Sequence, residues 1–293
     1  MSFINNNQMI QKFKDLAKTA RLKCMNAGGL IPVSLPIYPL KNIPMVPSST
    51  FTSDTISTQF YPPLIVSAGM IMDLAKSENC IKNVRNIFEK LKSDRYLEYL
   101  KEYYDSGLFR YGDRWQYADI ATILYATCQL IRPANYLEIG VRTGRSMAVV
   151  AAANPDCEIL GCDMWIKNYA EMENPGQAFV RGELKKVNYR GNVQFLDGDS
   201  HKLLPQYFKS HPDTFFDLIT VDGDHSYRGA SMDLREVLPR LKIGGVIIFD
   251  DTVQRNMEYL YTVWDRYVGS QNRFSCAHYG DLGLGISVAI RKY

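Results

Sequence analysis

Two short stretches concentrate the acidic chemistry of this 293-residue chain. One is Val221-Asp222-Gly223-Asp224-His225-Ser226-Tyr227, and the other is Ile247-Ile248-Phe249-Asp250-Asp251-Thr252. In each, an apolar run passes straight into carboxylates. If both runs end on one rim of a parallel sheet, Asp222, Asp250 and Asp251 crowd together and repel unless positive charge sits among them. A hard divalent cation with oxygen ligands answers that need, Mg²⁺ first and Ca²⁺ as the alternative. The opposing reading is that Asp251 caps a helix and no metal binds. His225 stands three residues past Asp222. An imidazole with an ordinary pKa near ~6.5 is suited to taking a proton at neutral pH, and Asp224 is the alternative base. A loop histidine without such neighbours is a surface hydrogen-bonding group. His201, His211 and His278 lack this acidic company and are assigned no role.

Three further strand ends carry polar residues. Tyr136-Leu137-Glu138-Ile139-Gly140 leads into Val141-Arg142-Thr143-Gly144-Arg145-Ser146 and an Ala/Val-rich helix. Glycines at a strand-to-helix turn let a ligand approach the backbone. The spacing is not the G-x-G-x-x-G of a dinucleotide cradle, which disfavours a nicotinamide oxidoreductase. Glu138 before the first glycine would repel phosphate, and so fits a ligand bearing an ammonium group. The alternative is a turn that serves packing alone. Glu158-Ile159-Leu160-Gly161-Cys162-Asp163 ends in an acid placed to accept both hydroxyls of a ribose. In Leu196-Asp197-Gly198-Asp199-Ser200, Asp199 is placed to accept from an adenine amino group while the Ser200 backbone reads the ring. For Asp163 and Asp199 the alternative is a helix N-cap. Trp165 and Tyr227, just past strand tips, either wall a ligand or pack.

The elements that must position these residues follow from pattern. Apolar runs at 135–139, 157–163, 192–197, 215–222 and 244–250 alternate with amphipathic stretches, as parallel strands with crossover helices do. Residues 272–278 and 284–291 are strand-like with only a short glycine-containing link, and should pair as a hairpin. The expected fold is α/β: a Rossmann-like seven-stranded sheet, mostly parallel with one antiparallel strand, preceded by an N-terminal helical and Pro-rich extension. Residues 7–25 and 64–105 read as helical, and 114–131 as one helix. Between them, Pro32, Pro36, Pro39, Pro44, Pro47, Pro62 and Pro63 exclude a helix or central strand. Interleaved apolar residues suit that segment to lie on its own core or on a second copy of the chain. The expected division is 1–113 as a lid or oligomer contact and 114–293 as the catalytic domain. Net charge is +3 without a basic block, which argues against nucleic acid. There is no apolar run of membrane-spanning length and no export signal. The six cysteines show no C-x-x-C pair, so reduced thiols in a cytoplasmic protein are expected.

Taken together, Leu137-Glu138-Ile139-Gly140 with Gly144, Gly161-Cys162-Asp163, Gly198-Asp199-Ser200, Asp217 through His225, and Leu238 through Val246 resemble the class I S-adenosylmethionine-dependent methyltransferases over about residues 114–293. The acids after the fourth and fifth strands are similar to those of the metal-dependent small-molecule O-methyltransferases acting on catechols, caffeoyl thioesters and antibiotic sugars. The resemblance implies S-adenosylmethionine as methyl donor. Glu138, Gly140, Thr143, Gly144 and Asp222 would lie at its methionine side, with Ser146 at its carboxylate. Asp163 would hold the ribose, and Asp199 and Ser200 the adenine beside Trp165. It also implies Asp222, Asp250 and Asp251 as ligands of Mg²⁺ or another divalent cation, and His225 as base. Arg142 stands where many members carry a small residue, which would narrow the pocket at the methionine end. The expected reaction is O-methylation of a small polar or glycosylated natural product. The alternatives are metal-free or N-methylation, and a non-catalytic assembly subunit. The expected partners are a small-molecule acceptor and a second copy of the chain through the N-terminal arm.

Overall fold

Seven strands form one sheet in the order β3-β2-β1-β4-β5-β7-β6. The structure is a computed structural model that describes residues 43–53, 62–168 and 173–293. The strands are β1 (Asn135–Ile139), β2 (Glu158–Asp163), β3 (Val193–Asp197), β4 (Phe216–Val221), β5 (Leu241–Asp250), β6 (Phe274–Tyr279) and β7 (Ile286–Arg291). The first five run parallel, and β7 is antiparallel to both β5 and β6. The mostly parallel sheet and its terminal hairpin therefore match the alternation of apolar runs. Parallel strands are covered by helices on both faces, so they read as nearly unbroken apolar runs. Leu137, Ile139, Ile219, Val221, Ile247 and Phe249 fill one layer, while Tyr136, Leu218, Val246 and Ile248 fill the other.

Register decides what meets at the carboxyl ends. Ile139 pairs with Cys162 on one side and Val221 on the other, and Val221 pairs with Phe249. The next residues along, Asp163, Gly140, Asp222 and Asp250, therefore stand abreast on one rim. The chain leaves β1 toward β2 on one side and returns to β4 on the other, so this rim holds the switch point where α/β sheets bind ligands.

Helices α1 (Ala68–Ala75), α2 (Glu78–Phe88), α3 (Arg95–Tyr111) and α4 (Ile120–Ile131) precede the sheet. The expected single helix over 114–131 is shorter than predicted. Gly112–Arg114 is a 3₁₀ turn, Trp115 caps that turn in extended conformation, and α4 begins only at Ile120. Two causes are visible. Asp119 and Thr122 form a capping box that starts the helix at 120. Trp115 and Tyr117 stack with centroids 5.2 Å apart and bury their rings against Tyr103 and Tyr104 of α3. Gly107 allows that packing, since a Cβ there would lie 2.1 Å from the Trp115 ring.

Part of the Pro-rich stretch lies against the sheet domain. Val46 N–H donates to the Ile243 carbonyl (2.9 Å) and Ile243 N–H to that of Pro44 (3.0 Å) at the start of β5. The helix expected over 7–25 and the prolines before residue 43 lie outside the described residues. The later helices are α5 (Arg145–Ala153), α6 (Gln177–Lys186), α7 (Ser200–Ser210), α8 (Tyr227–Val237) and α9 (Tyr259–Trp264). No helix among the described residues is long and apolar enough to cross a membrane. Cys80, Cys128, Cys157 and Cys162 are buried free thiols and Cys276 is an exposed one.

The far end of the sheet is tied by Asp217. Its Oδ2 accepts from the N–H groups of Ala134 (2.6 Å) and Asn135 (3.2 Å), and its Oδ1 lies 2.7 Å from Lys242 Nζ. Asp217→Ala removes the partner of a largely buried lysine and of two backbone donors. It should destabilise the protein by about 3 kcal/mol. The check is a lower urea midpoint with an unchanged m value.

Candidate active site

Gly140 brings two strand tips into backbone contact. Its φ is +90°, and a Cβ there would lie 1.9 Å from the Asp222 carbonyl oxygen. Asp222 N–H donates to the Ile139 carbonyl (2.9 Å), and Gly140 N–H to that of Cys162 (3.0 Å). The glycine's role is thus close approach as well as backbone conformation.

Beyond Asp222 the structure gathers Asp222, His225 and Asp251, whose candidate ligand atoms all lie within 4.8 Å of one another. His225 Nε2 is 3.3 Å from Asp222 Oδ1 and 3.2 Å from Asp251 Oδ2. Neither contact has hydrogen-bond alignment, so the buried Nε2 has charge neighbours but no hydrogen-bond partner. Burial works against the imidazolium, but Asp222 and Asp251 outweigh it and hold His225 well above its ordinary pKa. Asp222 is pushed up by burial and by Asp251, against the pull of His225. Two carboxylates directed at one point form an oxygen donor pair that fits a divalent cation, with the unpartnered imidazole nitrogen beside it. Asp251 reaches this group because its backbone turns left-handed, at φ +59°.

This grouping differs from the acid triad expected from sequence. Asp250, the last residue of β5, stands outside it, although burial and then Asp251 and Asp222 raise its carboxyl well above the usual range. His225 stands inside it. Asp224 turns to its own loop, where Oδ1 accepts from Ser226 N–H (2.8 Å).

On the donor side, Glu138 is fully buried. Its Oε2 accepts from the Tyr136 hydroxyl (2.8 Å) and its Oε1 from the Ser146 hydroxyl. Burial pushes Glu138 up to about 8 despite those bonds. Ser146, expected at a ligand carboxylate, is thus paired with Glu138. Thr143 is buried in the same turn, and Gly144 caps α5. Asp163 is held by three donors: Arg142 N–H on Oδ2 (2.8 Å), with Trp165 N–H (2.6 Å) and Asn174 Nδ2 (3.2 Å) on Oδ1. Trp165 Nε1 donates to Asp197 Oδ1 (2.8 Å), which turns the indole toward β3. Asp199 is the N-cap of α7, accepting from His201 N–H (3.0 Å) and lying 3.1 Å from Lys202 Nζ. Ser200 Oγ donates to Asp233 (2.7 Å). Tyr227 packs in the α8 layer, and its hydroxyl accepts from Arg266 (3.1 Å).

The sequence reading missed the contribution of α3. Its N-cap Asp94 pairs with Arg145, one residue past the Gly144 turn. The Arg145 guanidinium lies 5.0 Å over the Tyr96 ring. Tyr96, Tyr99 and Tyr103 stack in sequence, with centroids 6.3 and 6.2 Å apart. Burial raises the Tyr96 phenol, and the carboxylates of Asp250, Asp119 and Asp251 add to the shift. Helix α3 therefore brings Tyr96, the first of the row, within electrostatic reach of the acidic rim. The three-to-four spacing of 96, 99 and 103 was the available signal.

The chain is similar to known methyltransferases. Residues 137–252 match the family described as Methyltransferase domain. The Tapetum-specific methyltransferase 1 of Arabidopsis thaliana is 30% identical over 171 residues, covering 57% of this chain and 69% of that protein. Caffeoyl-CoA O-methyltransferase 1 of Eucalyptus globulus is 32% identical over 138 residues, covering 46% of this chain and 52% of that protein. The chain thus spans only about half the length of the caffeoyl-CoA relatives. The O-methyltransferase TomG of Streptomyces achromogenes, solved with S-adenosylmethionine, aligns over 69% of this chain and 92% of that chain, with a TM-score of 0.49 and 17% identity. The chain belongs to the class I S-adenosylmethionine-dependent O-methyltransferases, in the caffeoyl-CoA O-methyltransferase-like family.

Proposed function

We propose that the protein transfers the methyl group of S-adenosylmethionine to a hydroxyl of a small polar acceptor, a glycosyl or polyol group foremost, with a divalent cation held at Asp222 and Asp251 and with Asp250 beside them. The observation that carries this reading is the convergence of Asp222, Asp251 and His225 Nε2 on one point at the rim. A cation bound there supplies positive charge that lowers the pKa of an acceptor hydroxyl.

The chain's own residues do the remaining work. With a cation on Asp222 and Asp251 offsetting the carboxylates that raise its pKa, His225 would be free to take the hydroxyl proton at Nε2, which has no hydrogen-bond partner. The Asp163 carboxylate uses three of its roughly four lone-pair sites on protein donors, which orients it and leaves acceptor capacity for the ribose. Asp199 keeps lone pairs beyond its capping bond for the adenine amino group. Glu138, Ser146 and the Thr143–Gly144 turn form the methionine end. Holding donor and acceptor in line accounts for much of the rate in such a transfer. The tyrosine row on α3 favours a second reading, an aromatic vicinal diol like the acceptor named in the caffeoyl-CoA relatives. Flat rings stack on such a row.

Calorimetry with S-adenosylhomocysteine should show binding. A panel of glycosides and catechols, assayed with and without EDTA, should identify the acceptor and show turnover only when the cation is present. His225→Gln should lower turnover at least a hundredfold while retaining cation binding. Loss of cation binding in that variant would make His225 a ligand instead of the base.

Glu138 also gives a stability test with a definite sign. Its folded pKa, about 8, lies above the ordinary 4.5, so its stabilising contribution is full below 4.5 and is lost as pH rises toward 8. Glu138→Gln, which mimics the protonated form, should therefore raise the melting temperature of the ligand-free protein at pH 8 more than at pH 4.5. The same change should weaken S-adenosylhomocysteine binding. A melting shift equal at both pH values would contradict the assignment.

A further inference from the structure

Helix α8 places an acid where its pattern calls for an apolar residue. Asp233 shares the buried face of α8 with Ala230, Leu234 and Val237, and is itself buried. A carboxylate in such a position is costly unless it is paired and hydrogen-bonded. Both of its described partners come from the start of α7. Ser200 Oγ donates to Asp233 Oδ1 (2.7 Å), and His201 Nε2 lies 3.2 Å from the same oxygen. The second oxygen, Oδ2, is buried without a hydrogen-bond partner and faces Gly223, where a Cβ would come within 3.1 Å of it. Asp233 therefore touches the loops that follow β3 and β4, one proposed to read adenine and the other leading from Asp222 toward His225.

His201 completes the arrangement. Its Nε2 also lies 3.2 Å from the Gly229 carbonyl, and its Nδ1 is 3.5 Å from Asp199. Asp233 beside it raises the imidazole above its ordinary pKa, which favours the charged form of His201. His201, assigned no role from sequence, has acidic neighbours on two elements. The sequence offered no signal for this, because Asp233 lies 32 residues further along the chain.

We propose that Asp233, with His201 as its counter-charge, is a positioning residue for the methyl donor: by holding the Ser200 hydroxyl it fixes the Gly198–Ser200 turn, so that the turn meets the adenine preformed. The inference rests on the donor-site reading given above. A preformed turn spares the ordering cost of binding, so its loss appears as weaker affinity.

The test is calorimetry on the full chain with two probes that share the adenosine group, S-adenosylhomocysteine and 5′-methylthioadenosine. Asp233→Leu keeps side-chain volume on an apolar helix face and removes both oxygens. It should weaken both probes by the same factor, about tenfold. Asp233→Asn keeps an acceptor oxygen and should retain most of the affinity. If the leucine variant does not fold, Ser200→Ala decides, with the same loss expected and Ser200→Thr restoring it. Wild-type affinity in Asp233→Leu and Ser200→Ala, or a loss confined to S-adenosylhomocysteine, would overturn the inference. Failure of the unaltered protein to bind either probe would instead overturn the donor-site reading itself.

Discussion

Repulsion among carboxylates at one rim is the constraint on which the rest of the structure depends. Asp222, Asp250 and Asp251 are delivered there by β4 and β5, with Glu138 and Asp163 close along the same edge. Two unit charges 4 Å apart repel by about 4 kcal/mol at an effective dielectric of 20. That cost is opposed by a sheet buried on both faces, whose register is fixed by packing. Burial first, and then neighbouring carboxylates, raise the carboxyl pKa at Asp222, Asp250 and Glu138, while Asp222 and Asp251 raise the imidazole of His225 against burial. The same crowding leaves the rim in need of positive charge, which the proposed cation and the sulfonium donor would supply.

The helices before the sheet are part of this economy of charge. Arg145, at the start of α5, brings a positive charge to the glycine turn and is held by Asp94 of α3. The ion pair and the ring contact with Tyr96 join α3 to the Gly144 turn, and Tyr96 lies within electrostatic reach of Asp250 and Asp251. Residues from Val46 through Leu97 share one buried cluster with the sheet. The helices before the sheet and the glycine turn thus belong to one packed body.

Much of the fold was legible in the sequence, and for a physical reason. Strands covered on both faces must be apolar throughout, so the central ones appeared as runs, and the acids ending them stood out. The start of α4 was less legible. Helical spacing extends back to 114, but the side-chain cap at Asp119 and the tertiary burial of Trp115 override it. Within the site, the strand ends pointed to Asp222, Asp250 and Asp251 together. Which of the neighbours Asp250 and Asp251 joins the group depends on one left-handed residue, and His225 enters it by a loop path that spacing alone does not define. Asp233 was hidden because its partners, Ser200 and His201, are distant in the chain.

The central claim is that the rim acids form a cation site. Titration of the full-length protein with Mn²⁺, followed by electron paramagnetic resonance, measures this directly, because bound Mn²⁺ loses the sharp signal of the free ion. The account predicts one Mn²⁺ per chain, displaced by excess Mg²⁺ and lost in Asp222→Asn and Asp251→Asn. A free-ion signal that rises in proportion to added Mn²⁺ from the first addition, or binding unchanged in both variants, would contradict it.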